Sequence, residues 1–302
     1  MDCPLDFVPR AAHVGSASPL RVLPSVRVPA RKPPPVSIRP ARPGEAAPDA
    51  DLAHARATDP EGALVAVDQE GRLAGSAAAA VREDALLLLA LDVKAAHRGK
   101  GVGSALLAAA RAYGAARGAL ALEVLTPLNP SSLAFFFRAG LSLRTLVLEM
   151  TAEVSGLAPG PGTSLHAVSP GASLYGWIAA LDRETRGFAR PRDWARWALE
   201  GHVVSWKRGG RPVALGAWHP GPRGTALGPI AARAPEGAAD LLPLLASRAG
   251  GKRFSLALPA EARALLDAAT SLGFQPVSTR VLLAEKRRGD LRRYAGGGGR
   301  FF

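Results

Sequence analysis

A single cysteine, Cys3, stands in 302 residues, so no internal disulfide can form and no thiolate cluster can hold a metal. The histidines (His13, His54, His97, His166, His202 and His219) are scattered, without the close pairs a zinc site uses. No stretch approaches the ~18 consecutive apolar residues of a membrane-spanning helix. The N-terminus carries Asp2, Asp6 and prolines where a leader would have an apolar core. The absences predict a cytoplasmic protein that uses no metal and no membrane.

The length favours two globular units with tails. Net charge is +13, unevenly spread. Residues 1–35 carry +3, residues 36–150 balance twelve basic against twelve acidic side chains, and residues 151–302 set 21 basic against 11 acidic. A basic half can attract nucleic acid or acidic ligands through its field, but charge alone carries no specificity. No nucleic-acid-binding module is recognisable, and a solvated basic surface is expected instead.

Composition divides the chain. Residues 1–35 hold eight prolines and no apolar period, which reads as an arm without fixed structure. Residues 36–150 read as one globular unit. A strand begins at Val36 and a short helix lies near residues 48–57. Strands at 63–67, 73–81 and 85–91 then alternate with tight polar turns, the last apolar throughout as in a strand covered on both faces. A helical pattern runs to Arg117 with Gly118 placed to end it, followed by a strand at 120–125. Asn129-Pro130 is a helix start, Gly140 closes that helix, and a strand follows at 143–149. Residues 151–164 read as a Gly/Pro linker, 165–285 as a second unit, and 286–302 as a basic, then glycine-rich tail. In the second unit Trp177, Trp194 and Trp197 read as core, with most of the neighbouring arginines in solvent.

An internal repeat links the halves. A shift of 135 residues lays Arg98 on Arg233, Gly101 on Glu236, Gly103 on Ala238 and Leu106-Leu107 on Leu241-Leu242. Leu122 to Gly140 likewise matches Leu256 to Gly273.

The segment from Leu91 to Ser104, LDVKAAHRGKGVGS, joins an apolar strand to a helix through glycines at alternate positions. Without Cβ atoms at Gly99, Gly101 and Gly103 the backbone can turn sharply and present N–H groups at a positive helix end, a setting for phosphate to which Arg98 and Lys100 add charge. The nucleotide triphosphatase loop needs four residues between its first Gly and a Gly-Lys-Ser/Thr triplet, which is missing. The dinucleotide fingerprint fits Gly99 and Gly101, with Glu123 about twenty residues on, but its third glycine is Ser104 and a three-strand meander precedes the loop.

With Arg98-x-x-Gly101-x-Gly103, the strand at 120–125, Asn129 and the helix closing at Gly140-Leu141, residues 36–150 resemble the GNAT superfamily of acyl-CoA-dependent N-acyltransferases. Residues 165–285 look like a divergent second copy. The resemblance implies an α/β (α+β) fold of two tandem GNAT-like domains, each a mixed, largely antiparallel sheet flanked by helices. It also implies acetyl transfer from acetyl-CoA to an amine by direct attack. The pyrophosphate would lie on Arg98, Gly99, Lys100, Gly101, Val102, Gly103 and Ser104, and the pantetheine arm along Leu91 to Val93. The Val93 N–H would polarise the thioester carbonyl, and Asn129, Ser132 and Phe136 would contact the arm.

The acceptor amine must lose a proton, which calls for a carboxylate or a water chain within reach. Glu123, Asp92 and Glu83 are the candidates. An apolar strand around Glu123 suits a base, and it equally suits a structural carboxylate bonded to a neighbouring strand. Many superfamily members have a tyrosine seven residues after the asparagine as general acid; here Phe136 stands there and cannot donate a proton. That departure motivates an alternative, a non-catalytic acyl-CoA-binding sensor. The second copy, with Glu236 and Ala238 for glycines, is expected not to bind CoA in the usual way and to cover the first copy's cleft and supply acceptor contacts, with packing alone as the alternative. The expected partner is a small-molecule or peptide amine, and a homodimer is compatible with the sequence.

Overall fold

Apolar alternation in the first half builds β1 (Val36–Pro40), α1 (Ala50–Thr58), β2 (Ala63–Asp68), β3 (Leu73–Arg82), β4 (Ala85–Val93), α2 (Val102–Ala115), β5 (Ala121–Pro127), α3 (Pro130–Arg138) and β6 (Ser142–Glu153). The second half supplies β7 (Leu165–Ala167), α4 (Ala172–Thr185), α5 (Pro191–Leu199), β8 (Val203–Arg208), β9 (Arg211–Gly221), β10 (Gly224–Ala232), α6 (Pro235–Ala249), β11 (Arg253–Pro259), α7 (Arg263–Ser271), β12 (Gln275–Ala284) and β13 (Tyr294–Ala295). The computed structural model describes residues 36–42, 44–45, 50–154, 165–169, 171–200, 202–221 and 223–297. The N-terminal arm expected at 1–35, and most of the linker expected at 151–164, lie outside those residues. Gly228-Pro229 interrupts the alternation of β10, which continues as a strand on either side of the pair.

The strands join in one sheet, ordered β1-β2-β3-β4-β5-β12-β6-β11-β10-β9-β8-β7, with β13 beside β10. This order is a palindrome once β7 to β12 are matched to β1 to β6. β12 inserts between β5 and β6, pairing antiparallel with both, and β6 inserts in turn between β12 and β11. Each half therefore lends its last strand to the sheet of the other. The exchange makes the halves one folding unit, since neither sheet is complete alone.

Helices α2 and α3 lie on one face over Leu86, Leu88, Leu122 and Val124, and α6 and α7 extend that layer over Leu256 and Leu258. α4 and α5 cover the other face over Val147, Leu215 and Leu282, with α1 beside them over Leu87 and Leu89. Small residues set the spacing in the first half. β3 offers Ala74, Ala77 and Ala79 to α2, and a Cβ at Gly114 would stand 2.9 Å from Leu86.

A buried charge cluster ties α5 to the first half. Arg82 donates to Asp193 through Nε and Nη2 at 2.7 Å each and to Asp59 through Nη1 at 2.6 Å. His54 Nε2 lies 2.7 Å from Asp193, and its ring stacks on Trp197 at 5.6 Å. Burial works to raise the Asp193 pKa, but His54 and Arg82 overcome it and hold the carboxyl down at about 2. Tyr113, which donates to Asp59 at 3.1 Å, is pushed up to about 12 by burial and by the Asp59 charge. Trp194 and Trp197 are core, as expected. Of the neighbouring arginines, Arg183, Arg192 and Arg196 are exposed, whereas Arg186 and Arg190 are buried on acidic partners.

Candidate active site

The site starts from an extra residue in β4. Ala78 faces Ala90 and Ala79 faces Leu88, so Leu89 is a β-bulge. The bulge inverts the alternation: Leu86 and Leu88 pack under α2, Leu87, Leu89 and Ala90 pack on the opposite face, and Leu91 and Val93 return to the α2 side. It also turns β4 away from its parallel neighbour. Pairing with β5 runs from Ala85 and Ala121 to Leu88 and Val124 and stops there, while β5 continues along β12 to Pro127. A cleft opens between the two strands.

Backbone polarity aims groups into it. The Lys94 N–H donates to Ala74 on β3 at 2.9 Å, so by strand alternation the N–H and C=O of Leu91 and Val93 point away from β3, toward the cleft. The Val93 carbonyl accepts from Arg98 Nε at 2.9 Å, which folds the loop back on the strand.

The loop then enters α2. Gly99 and Gly101 sit at φ +73° and +88°, left-handed values that side chains with a Cβ adopt at a cost. Gly101 is the N-cap and supplies no side-chain hydrogen bond, and the first intrahelical bond is from the Ala105 N–H. The N–H groups of Val102, Gly103 and Ser104 therefore project from the positive end of the helix, as anion binding requires. Val102 is buried and contributes backbone alone, while Arg98, Lys100 and Ser104 are exposed. Gly103 faces the cleft strand: a Cβ there would lie 3.5 Å from both Val93 and Phe135 and 3.6 Å from Leu91.

On the facing helix, Asn129 is the N-cap of α3 and its side chain accepts from the Ser132 N–H at 2.9 Å, leaving the Ser132 hydroxyl for other partners. Phe136 is a buried member of the core beneath α2 and α3. Phe135, packed edge-to-face on it at 5.0 Å, is the ring that approaches Gly103. Successive helical residues diverge by about 100°, so Phe135 turns toward Gly103 while Phe136 turns into the core.

The three carboxylates separate clearly. Glu123 is buried at the level where the strands part, and its Oε2 is 2.7 Å from Arg186 Nη1 at the C-terminal end of α4. The ion pair joins the two halves across the sheet, the structural arrangement that the sequence offered for Glu123 beside that of a base. Glu83 occupies the β3–β4 turn, at the opposite end of β4 from Val93, and it binds Arg183 and the Ala189 N–H. Burial tends to raise its pKa, but those two partners outweigh it and the net shift is downward. Asp92 is exposed, past the bulge, on the face opposite α2.

The second half differs at each of these points. Two residues, Arg233 and Ala234, connect β10 to α6, so the loop is missing altogether and nothing there corresponds to a glycine cradle. Glu236 is exposed in the first helical turn and Ala238 is core. Among the described residues, no three His, Cys, Asp or Glu side chains gather as metal ligands, and no helix is long and apolar enough to cross a membrane.

A mixed sheet built twice in one chain, with parallel strands that part beside a glycine-bearing helix N-terminus in the first half, has the form of an acyltransferase. The family comparison agrees for each half. Residues 33–141 match the Acetyltransferase (GNAT) family and residues 178–292 an Acetyltransferase (GNAT) domain, together most of the chain, and the protein belongs to the GNAT acetyltransferase family as a tandem member. Solved structures share the fold across both halves. A Pyrococcus horikoshii protein assigned as an acetyltransferase is 14% identical with TM-score 0.68, over 86% of this chain and 93% of that one. A GCN5-related N-acetyltransferase from Sphaerobacter thermophilus is 16% identical with TM-score 0.57, over 84% and 96%. A tandem GNAT protein from the clavulanic acid biosynthesis pathway is 16% identical with TM-score 0.54, over 82% and 98%. No curated protein matches the chain in sequence.

Proposed function

We propose that the first half transfers an acetyl group from acetyl-CoA to an amine. The observation that carries this reading is the coincidence, at one cleft, of the projecting N–H groups of Val102 to Ser104 with the cleft-facing N–H groups of Leu91 and Val93. Arg98 to Ser104 would hold the pyrophosphate, and Leu91 and Val93 would pair with the amide-bearing arm as an added strand would. Bound acetyl-CoA supplies an activated thioester. The Val93 N–H would donate to the thioester carbonyl oxygen and stabilise the negative charge that grows there. Asp92, exposed on the face away from the loop, takes the proton released by the amine. Phe136 has no hydroxyl, so the departing thiolate is protonated by solvent. Glu123 and Arg186 hold the cleft floor and the second half in place. The acceptor is a small-molecule or peptide amine reaching the α1 and α5 face.

An assay of CoA release against a panel of amines tests the reading. Turnover with at least one amine is expected, with kcat lowered in Asp92→Asn and retained in a folded Glu123→Gln variant. Phe136 favours a second reading, an acyl-CoA sensor, which predicts saturable binding and no CoA release with any amine.

A further inference from the structure

The gap between β10 and β11 is the second half's counterpart of the cleft between β4 and β5, and the chain itself fills it. Parallel pairing of β10 with β11 ends at Ala226 and Ser255, and β10 loses register against β9 across Gly228 and Pro229. β13 enters there. Ile230 faces Ala295 and Ala231 faces Tyr294 in antiparallel pairing. On the other edge, Gly296 exchanges both backbone hydrogen bonds with Ala257 of β11, at 2.8 and 3.0 Å. Hydrogen bonds on both edges are the mode by which sheets capture an extended peptide.

The slot is selective. Tyr294 is fully buried, and its hydroxyl accepts from Arg190 Nη1 at 3.1 Å. Arg190, itself buried, is fixed by Asp182 through Nη2 at 2.7 Å and Nε at 3.1 Å. Ala295 is fully buried and leaves no exposed position for a larger side chain. A Cβ at Gly297 would stand 2.5 Å from the Gly228 carbonyl oxygen and 2.6 Å from the His219 ring. The geometry asks for tyrosine, a small residue and, two positions further on, glycine. Upstream the segment is anchored by Leu291 in the same core and by Arg288, which pairs with both carboxylate oxygens of Asp84 at the β3–β4 turn.

We infer that the second half is a peptide-binding module: its cleft takes an extended Tyr-Ala-Gly-Gly segment, supplied in cis by residues 294–297, in the place where the first half would take acetyl-CoA. The inference goes beyond acetyl transfer and does not depend on it.

Hydrogen exchange on the intact chain tests it first. The Gly296 amide is expected to exchange as slowly as the amides of β11, and a full-length Gly297→Val variant is expected to speed exchange over residues 294–297 while leaving β4 and α2 unchanged. Exchange of Gly296 at the rate of a free peptide would overturn the inference. As a second measurement, the full-length Gly297→Val variant, whose own segment no longer fits the slot, is titrated with a synthetic peptide of residues 294–297. Saturable binding is expected, weakened about tenfold or more in a Gly297→Val peptide by overpacking; equal affinity for the two peptides, or none for either, would refute the slot. Two equivalents of acetyl-CoA on the intact chain would also refute it, whereas none would sink the acetyl-transfer reading alone.

Discussion

Asp193→Ala removes the carboxylate at the centre of the buried cluster that joins the halves. Asp193 accepts two bonds from Arg82 at 2.7 Å and lies 2.7 Å from His54, so the change leaves the Arg82 charge in a dry site with one fewer anion. Breaking a buried pair from one side costs about 3–5 kcal/mol. Arg82 keeps Asp59 at 2.6 Å and the Thr58 hydroxyl at 2.9 Å, which favours the lower end, about 3 kcal/mol. In a unit of this size 1 kcal/mol shifts Tm by about 2 °C or slightly more, so a fall of about 6 °C is expected. Urea titration and calorimetry at pH 7 measure it, with Arg82→Met as the partner in a double-mutant cycle. The pH dependence has a definite sign. Asp193 is held at about 2 in the folded chain against an ordinary 3.8, so its contribution is complete above 3.8 and disappears as pH falls toward 2. About 2 kcal/mol of acid sensitivity should vanish in the variant. A loss under ~1 kcal/mol at pH 7, or an unchanged acid profile, would refute the idea that this cluster clamps the halves together.

Gly101→Glu sets a carboxylate at the anion-binding helix end and forces a side chain to φ +88°; acetyl-CoA affinity should fall by roughly a hundredfold, read by calorimetry. Gly101→Ala, which adds strain without charge, should lose less. Asn129→Ala removes the cap on the Ser132 N–H and should cost about 1 kcal/mol in urea titration, with a weaker KM for acetyl-CoA if α3 positions the cofactor arm.

What the sequence made legible was local. Alternation and turn residues located β2, β3 and β4, the glycines located the loop, and Asn129-Pro130 located the start of α3, because each depends on a few neighbouring residues. Pairings between distant segments were not legible. Alternation shows that β6 and β12 are strands but not that each crosses into the sheet of the other half. Glu123 alone suits both a base and a structural partner, and its ion-pair partner Arg186 lies 63 positions along the chain. In residues 135–137 all three side chains are phenylalanine, so composition could not tell the core ring from the one beside Gly103. The glycines near the C-terminus read as a tail, yet Gly297 and Gly228 are the pair whose missing Cβ atoms let backbone approach backbone there. Glycine marks close approach as readily as freedom, and only the partner strand decides between them.

The proposed function requires a single acetyl-CoA site, built by Arg98 to Ser104 and the cleft beside Leu91 and Val93. Calorimetric titration of the intact chain with acetyl-CoA tests it most directly. One equivalent bound per chain is expected, abolished or strongly weakened by Gly101→Glu and unaffected by Glu236→Gly in the second half. Failure to bind, or binding indifferent to Gly101→Glu, would contradict it.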